Sequence, residues 1–145
     1  MEFRSICVTE GVGALIYAKS SQRYLFLLRS SGSWPLTWGL AGGKVDAGEN
    51  AAQALMREIK EELGGSIVAP KFVPIEMFTS NNERFIYHTF FIAVDCEFVP
   101  ELNNEHLGYA WLPLTAVPKP LHPGVYRTFN SDEVYRKIQI AQLNC

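Results

Sequence analysis

The sequence predicts an α/β fold, with a mixed sheet held between helices as an α/β/α sandwich. Two observations carry that expectation. Most of the chain divides into short runs of β-prone, apolar residues bounded by turn residues, and two helical patterns stand among them, one mid-chain and one near the end. The length of 145 residues suits one domain, residues 1–145, with a substantial core.

Composition narrows the function classes. At 48% hydrophobic and 19% charged residues the chain is ordinary globular material. The net charge of −2 gives no support for bulk nucleic-acid binding, so an anionic ligand would need a metal ion or local Arg and Lys. Cys7, Cys96 and Cys145 show neither metal-ligand nor redox spacing and read as reduced thiols of a cytoplasmic protein. The N-terminal MEFRSICVTE is too polar for a secretory leader, and no apolar run is long enough for a membrane span. A homodimer is left open.

In chain order, residues 11–18 (GVGALIYA) form an almost continuous apolar run, as expected near the centre of a covered sheet. Residues 20–23 make a turn, and 24–28 (YLFLL) return as the second strand of a hairpin. Arg29 then stands either as a solvated strand end or as a phosphate contact. Residues 30–45 read as a loop with a short strand around 38–40, in which Trp34 and Trp38 could stack on a base or join the core.

Helix signals are strongest from Ala51 to Leu63. Asn50 is a good N-cap, Gln53 can complete a capping box, and Gly64 and Gly65 supply the C-terminal cap. At about 100° per residue, Ala52, Leu55, Met56, Ile59 and Leu63 form an apolar stripe. Glu58 and Glu62 share the opposite side, with Glu61 one step round and Arg57 at i−4 from it. Three carboxylates near a helix C-terminus repel one another and oppose the dipole. A solvated charged face is one reading; a hard cation that relieves both penalties is the other, and the glycines of the preceding loop, Gly42, Gly43 and Gly48, favour the second.

Beyond the helix, residues 67–79 carry Pro70 and Pro74 and read as an interrupted or edge strand. A turn at 80–83 leads to a long β-prone segment, 84–95, expected to be central, with His88 as a satisfied core or cleft histidine. Asn103, Asn104 and Glu105 form a polar loop before a short strand at 109–112. Residues 113–117 open a helical turn, LHPGV makes a further loop, and Asn130 or Ser131 caps a final helix bearing Val134, Ile138 and Leu143. No Ser or Cys has an evident His partner for nucleophilic catalysis, and the alternating oxygens of an EF-hand loop are absent.

Gly43, Glu49, Arg57, Glu58, Ile59, Glu61, Glu62 and Gly64 stand at the spacing GX5EX7REUXEEXGU, where U is a bulky aliphatic residue. The chain thereby resembles the Nudix (MutT-like) hydrolases, departing only at Gly65, where the pattern has an aliphatic residue that anchors the helix end. Ala41 stands where many members have proline. Upstream, Trp38, Gly39, Leu40, Gly42, Gly43 and Lys44 match the WGLxGGK segment that leads into the box. Downstream, Glu105, His106, Tyr109, Trp111 and Leu112 match a recurrent EHxxYxWL. The resemblance covers most of the chain, with its specific part between Trp38 and Gly65.

The resemblance implies a magnesium-dependent hydrolase, with manganese as a substitute, acting on a diphosphate linkage of a small nucleotide. Glu58 and Glu62 would be the main metal ligands, with Glu61 completing the cluster; Glu49 would join the metal shell or bond loop amides, and the carbonyl of Gly42 or Gly43 would add a ligand. Arg57 would orient Glu61, and Glu61 or Glu105 would be the general base. Arg29, Trp38, Arg84 and Lys44 are the substrate-binding candidates. ADP-ribose, sugar nucleotides, dinucleoside polyphosphates and nucleoside triphosphates all stay open as substrates. The rival is a non-catalytic nucleotide-binding or regulatory module of the same fold, although such members usually lose a box carboxylate.

Overall fold

The computed structural model describes residues 7–145; most of the N-terminal stretch read as too polar for a leader lies outside them. Seven strands form one sheet: β1 (Thr9–Ala18), β2 (Arg23–Arg29), β3 (Trp38–Gly39), β4 (Ala41–Lys44), β5 (Val73–Thr79), β6 (Phe85–Val94) and β7 (His106–Leu112). Three α-helices accompany them: α1 (Ala51–Leu63), α2 (Pro123–Phe129) and α3 (Asp132–Leu143). A 3₁₀ turn, Leu114–Ala116, falls where a helical turn was expected.

β1 is the hub. It runs parallel to β6 along its whole length, from Thr9↔Phe85 to Ala18↔Val94. Its other edge is shared, with β4 antiparallel to its first half (Gly13↔Gly42) and β2 antiparallel to its end (Tyr17↔Tyr24). The expected hairpin and the interior position of β6, between β1 and β5, are thus both present. The mixed sheet with helices is the α/β architecture expected.

Strand alternation sends successive β1 residues to opposite faces. Val12, Ala14, Ile16 and Ala18 join Leu25, Leu27, Ile92 and Trp111 beneath α1, which contributes Ala54, Leu55, Ile59 and Leu63. Leu15 and Tyr17 join Tyr24, Phe26, Ile75 and Phe91 beneath α3, which contributes Val134, Ile138 and Ala141. Each fully buried Leu or Ile stabilises the fold by roughly 1.5–3 kcal/mol relative to exposure.

Four expectations change. The segment read as a glycine-rich loop contains β4, because its backbone pairs with β1 even where it lacks side chains. Part of LHPGV is the start of α2, with the His122 side chain accepting from the Gly124 amide and Pro123 at the first turn. Leu143 is exposed, and Ala141 takes its place on the buried stripe of α3. On α1, Met56 is 43% exposed whereas Glu58 and Glu62 are buried, so the inward sector is turned toward the carboxylates. Asn50 and Gln53 do form the expected capping box, with both reciprocal bonds present.

Candidate functional site

The reason two glutamates can be buried lies in β4. Gly42 has φ +151°, and a Cβ there would collide with the Val12 carbonyl oxygen; a Cβ on Gly43 would lie 2.5 Å from Glu58 Oε1. The glycines therefore let β4 approach β1 and leave room for the Glu58 carboxylate. The Gly42 requirement comes from this backbone approach. Gly42 in fact engages the site through its amide, which donates to Glu62 Oε1 at 3.0 Å.

Arg57 gathers the acidic residues, but its main partner is Glu49. Nε and Nη2 form a bidentate pair with the two Glu49 oxygens, each at 2.9 Å, and Nη2 also donates to the Lys44 carbonyl at 2.9 Å. Nη1 donates to Glu58 Oε1 at 3.0 Å and reaches Glu61 only at 3.4 Å. The expected i,i+4 orientation of Glu61 is thus the weakest of the three contacts. Hydrogen bonds from Arg57, and then from the Asp46 amide, hold the Glu49 carboxyl below its ordinary range. Arg57 is raised in turn, first by Glu49.

Glu62 sits deeper. It is wholly buried, and burial, followed by the neighbouring Glu58 carboxyl, pushes its pKa up to about 9. His106 Nδ1 stands 3.4 Å from Glu62 Oε2. Burial and then the Arg29 charge lower the imidazole to about 4, so it is neutral and the pair is not an ion pair at neutral pH. Neither Glu62 Oε2 nor His106 Nδ1 has a hydrogen-bond partner.

The 103–106 loop is what brings His106 and Glu105 to the helix. Asn103 Nδ2 donates to the Glu61 carbonyl at 3.1 Å, and the Glu105 amide donates back to Asn103 Oδ1 at 3.0 Å. The Ser30 amide fixes the Glu105 carbonyl at 2.9 Å. As a result, ligand atoms of Glu62, Glu105 and His106 all lie within 4.8 Å of one another. An acceptor-rich cluster with an orphaned buried carboxylate oxygen is chemistry that fits a divalent cation. Glu58 lies beside Glu62, and both it and the half-exposed Glu61 are joined to Arg57.

On the other face of the sheet is a cleft of about 530 Å³. Tyr87 lies in its wall because β1 has glycine at positions 11 and 13: a Cβ on Gly13 would collide with the Tyr87 hydroxyl, and one on Gly11 would press on the Tyr87 ring at 3.0 Å. Tyr87 is pushed up to about 12 by burial and then by the Glu62 charge. Phe85 stacks beside it, with ring centres 6.1 Å apart and planes at 24°. Arg127 lies over the Phe78 ring at 3.7 Å and is held by both Glu76 oxygens, at 3.2 and 3.3 Å. Gly42, Gly43 and Lys44 border this cleft, so β4 is the seam between it and the carboxylates.

The substrate-binding candidates divide accordingly. Arg29 and Lys44 line the cleft. Trp38 does not: it packs against the α3-side core and bridges to Leu121, because β3 is tied to β2 and to the segment before α2. Arg84 is exposed and outside the cleft lining; its backbone is engaged by Thr9 and Asn82, and the neighbouring Phe85 enters the cleft instead. His88 pairs with Glu10. Tyr87 and Phe85 are not singled out by the sequence because strand parity alone cannot say which face carries a cleft, and His122 and Arg127 are not because LHPGV reads as a loop where α2 begins. His106 was quoted in a matching segment without a role.

At Gly65, a side chain would meet nothing within 4 Å. Ile67 packs against the α1-side core instead, which accounts for the missing aliphatic anchor.

Comparison with known proteins agrees with this geometry. The family model of the NUDIX domain matches residues 9–131. The nucleoside triphosphatase NudI of Salmonella paratyphi B is 33% identical over 92 residues, 56% of this chain and 64% of that protein. The matched stretch thus spans less than two thirds of the length of that curated relative. Among solved structures, a MutT NUDIX hydrolase from Burkholderia pseudomallei superposes with a TM-score of 0.71 at 26% identity, covering 86% of this chain and 97% of the other. A MutT protein from Methanosarcina mazei Go1 gives 0.69 at 26% identity, covering 96% and 99%.

Proposed function

The chain belongs to the NUDIX domain family, and on that premise we propose that it is a magnesium-dependent hydrolase cleaving the diphosphate linkage of a small nucleoside diphosphate derivative, with manganese able to substitute. The observation that carries this reading is the buried acidic seam: Glu58 and Glu62 packed behind Gly42 and Gly43, Arg57 clamping Glu49 and Glu58, and one Glu62 oxygen left without a partner.

Glu58, Glu61 and Glu62 would hold the cation, with Glu49 held against Arg57 at the edge of the group. A divalent cation so bound neutralises phosphate oxygens and acidifies water. Arg57 keeps Glu49, Glu58 and Glu61 close despite their repulsion. Glu105, exposed and without an ion pair among the described residues, would take the proton from the attacking water; Glu61, shared with Arg57, is the alternative base. Arg29 and Lys44 would receive phosphate oxygens, and the Phe85 and Tyr87 rings would receive the base.

The nucleoside triphosphatase activity in the name of the Salmonella relative makes nucleoside triphosphates a first substrate class to test, beside ADP-ribose, sugar nucleotides and dinucleoside polyphosphates. The three cysteines are free and exposed, a state that a reducing cytoplasm maintains. Among the described residues, no helix is long and apolar enough to cross a membrane. The test is a magnesium-dependent screen over these compounds, with products resolved by mass and the attacked phosphorus located in oxygen-18 water. Tight nucleotide binding with no turnover of any compound would replace the hydrolase by a binding module.

A further inference from the structure

We propose that His106 is a nitrogen ligand to the cation held at Glu62, making this a mixed nitrogen–oxygen site that favours first-row transition ions over magnesium more strongly than its carboxylates alone would. The inference rests on the metal reading above and adds to it a residue and a selectivity.

Two buried polar atoms without partners face each other. Glu62 is wholly buried and the His106 side chain is 6% exposed, and Glu62 Oε2 and His106 Nδ1 stand 3.4 Å apart with no hydrogen bond to any group. Buried polar atoms are rarely left unsatisfied, so the orphaned pair calls for a ligand. Two donors bound to one cation at about 2.0–2.1 Å lie about 2.8–3.4 Å apart for angles between octahedral and tetrahedral. The observed separation falls at the upper end of that span. A carboxylate oxygen of Glu105 completes a group whose atoms all lie within 4.8 Å.

The donor is also held in place before any cation arrives. Glu62 Oε1 accepts from the Gly42 amide, which leaves Oε2 for the cluster. His106 begins β7, paired with Arg29 of β2, and its loop is tied to α1 through Asn103. Imidazole is a softer donor than carboxylate and suits cobalt, nickel and zinc, whereas magnesium takes oxygen and releases water reluctantly. A nitrogen at this position therefore changes ion preference without adding charge.

The test compares the native chain with His106→Asn, whose amide is similar in reach but a poor ligand. Calorimetric dissociation constants are measured for cobalt and for magnesium, and pulsed EPR is recorded on the manganese-loaded proteins. The expected result is a loss of about 10–100-fold for cobalt, a change under about threefold for magnesium, and a nitrogen-14 coupling in the native spectrum that the variant lacks. Equal losses for both ions, or no nitrogen coupling in the native protein, would overturn the ligand assignment while leaving the metal reading intact. Failure of the native chain to bind any of the three ions would overturn both. If His106→Asn does not fold, the native spectrum alone decides.

Discussion

Beneath α1, the sheet carries a small-residue face: Val12, Ala14 and Ala41, beside Gly42 and Gly43, leave space into which Glu58 and Glu62 are drawn from the helix. On the opposite face the same strand presents Gly11 and Gly13, and the space is taken by the Tyr87 ring and a cleft with Phe85 and Arg127. Both spaces come from missing side chains on neighbouring strands. They differ in what fills them: charge crowded at a helix end on one side, aromatic surface and guanidinium on the other. On the proposed function, bond cleavage belongs to the first and base recognition to the second, joined by the β4 backbone.

Glu62→Gln tests that division most severely. Turnover should fall by about 10²–10³-fold, the scale of losing one preorganised electrostatic group, while nucleotide affinity in chelator changes little. Steady-state kinetics and binding calorimetry together check this, and unchanged turnover would sink the metal assignment. Phe85→Ala works on the other face, where loss of one stacking contact should raise KM by about 5–150-fold, equivalent to 1–3 kcal/mol, with kcat nearly unchanged. An equal fall in kcat would mean that the two faces do not divide the work as described.

Gly43→Ala attacks the seam. A Cβ 2.5 Å from Glu58 Oε1 forces the carboxylate or the strand to shift, and overpacking of this kind costs about 1–3 kcal/mol in urea unfolding. Wild-type stability with native metal affinity would show that the space is not needed.

A gentler probe uses pH. The pKa of Glu62 in the folded chain is raised to about 9, so the fold holds a proton there that the unfolded chain releases at the ordinary carboxylate value. Its contribution is fully favourable below that ordinary value and is lost as pH rises toward 9. Thermal unfolding in chelator should therefore show stability declining across this window, with the decline flattened in Glu62→Gln. A profile identical in the two proteins would refute the burial argument. The smallest effect belongs to Gly65→Val, which faces open space and should change stability by less than about 0.5 kcal/mol; a larger gain would show that the helix end lacks its aliphatic anchor after all.

The local features were legible in residue order because their causes are local. Asn50 and Gln53 cap α1 wherever the helix lies, and a β-prone run such as 85–94 has few alternatives. The start of α2 was also signalled, by His122 and Pro123, but proline in LHPGV reads as readily as a turn. Strand β4 was harder to see: its glycines resemble a loop, and only pairing with β1 makes them a strand.

Residue order by itself determined that Arg57, Glu58, Glu61 and Glu62 share one helix, since 3.6-residue periodicity follows from backbone geometry alone. Tertiary structure decided which of them is buried, that Glu49 and not Glu61 is the main partner of Arg57, and that His106, 44 positions beyond Glu62, reaches its unpaired oxygen. Those outcomes depend on empty volume beside Gly42 and Gly43 and on the Asn103 tie between loop and helix. Volume and long-range ties have no period along the chain, and they exist only once the strands have met.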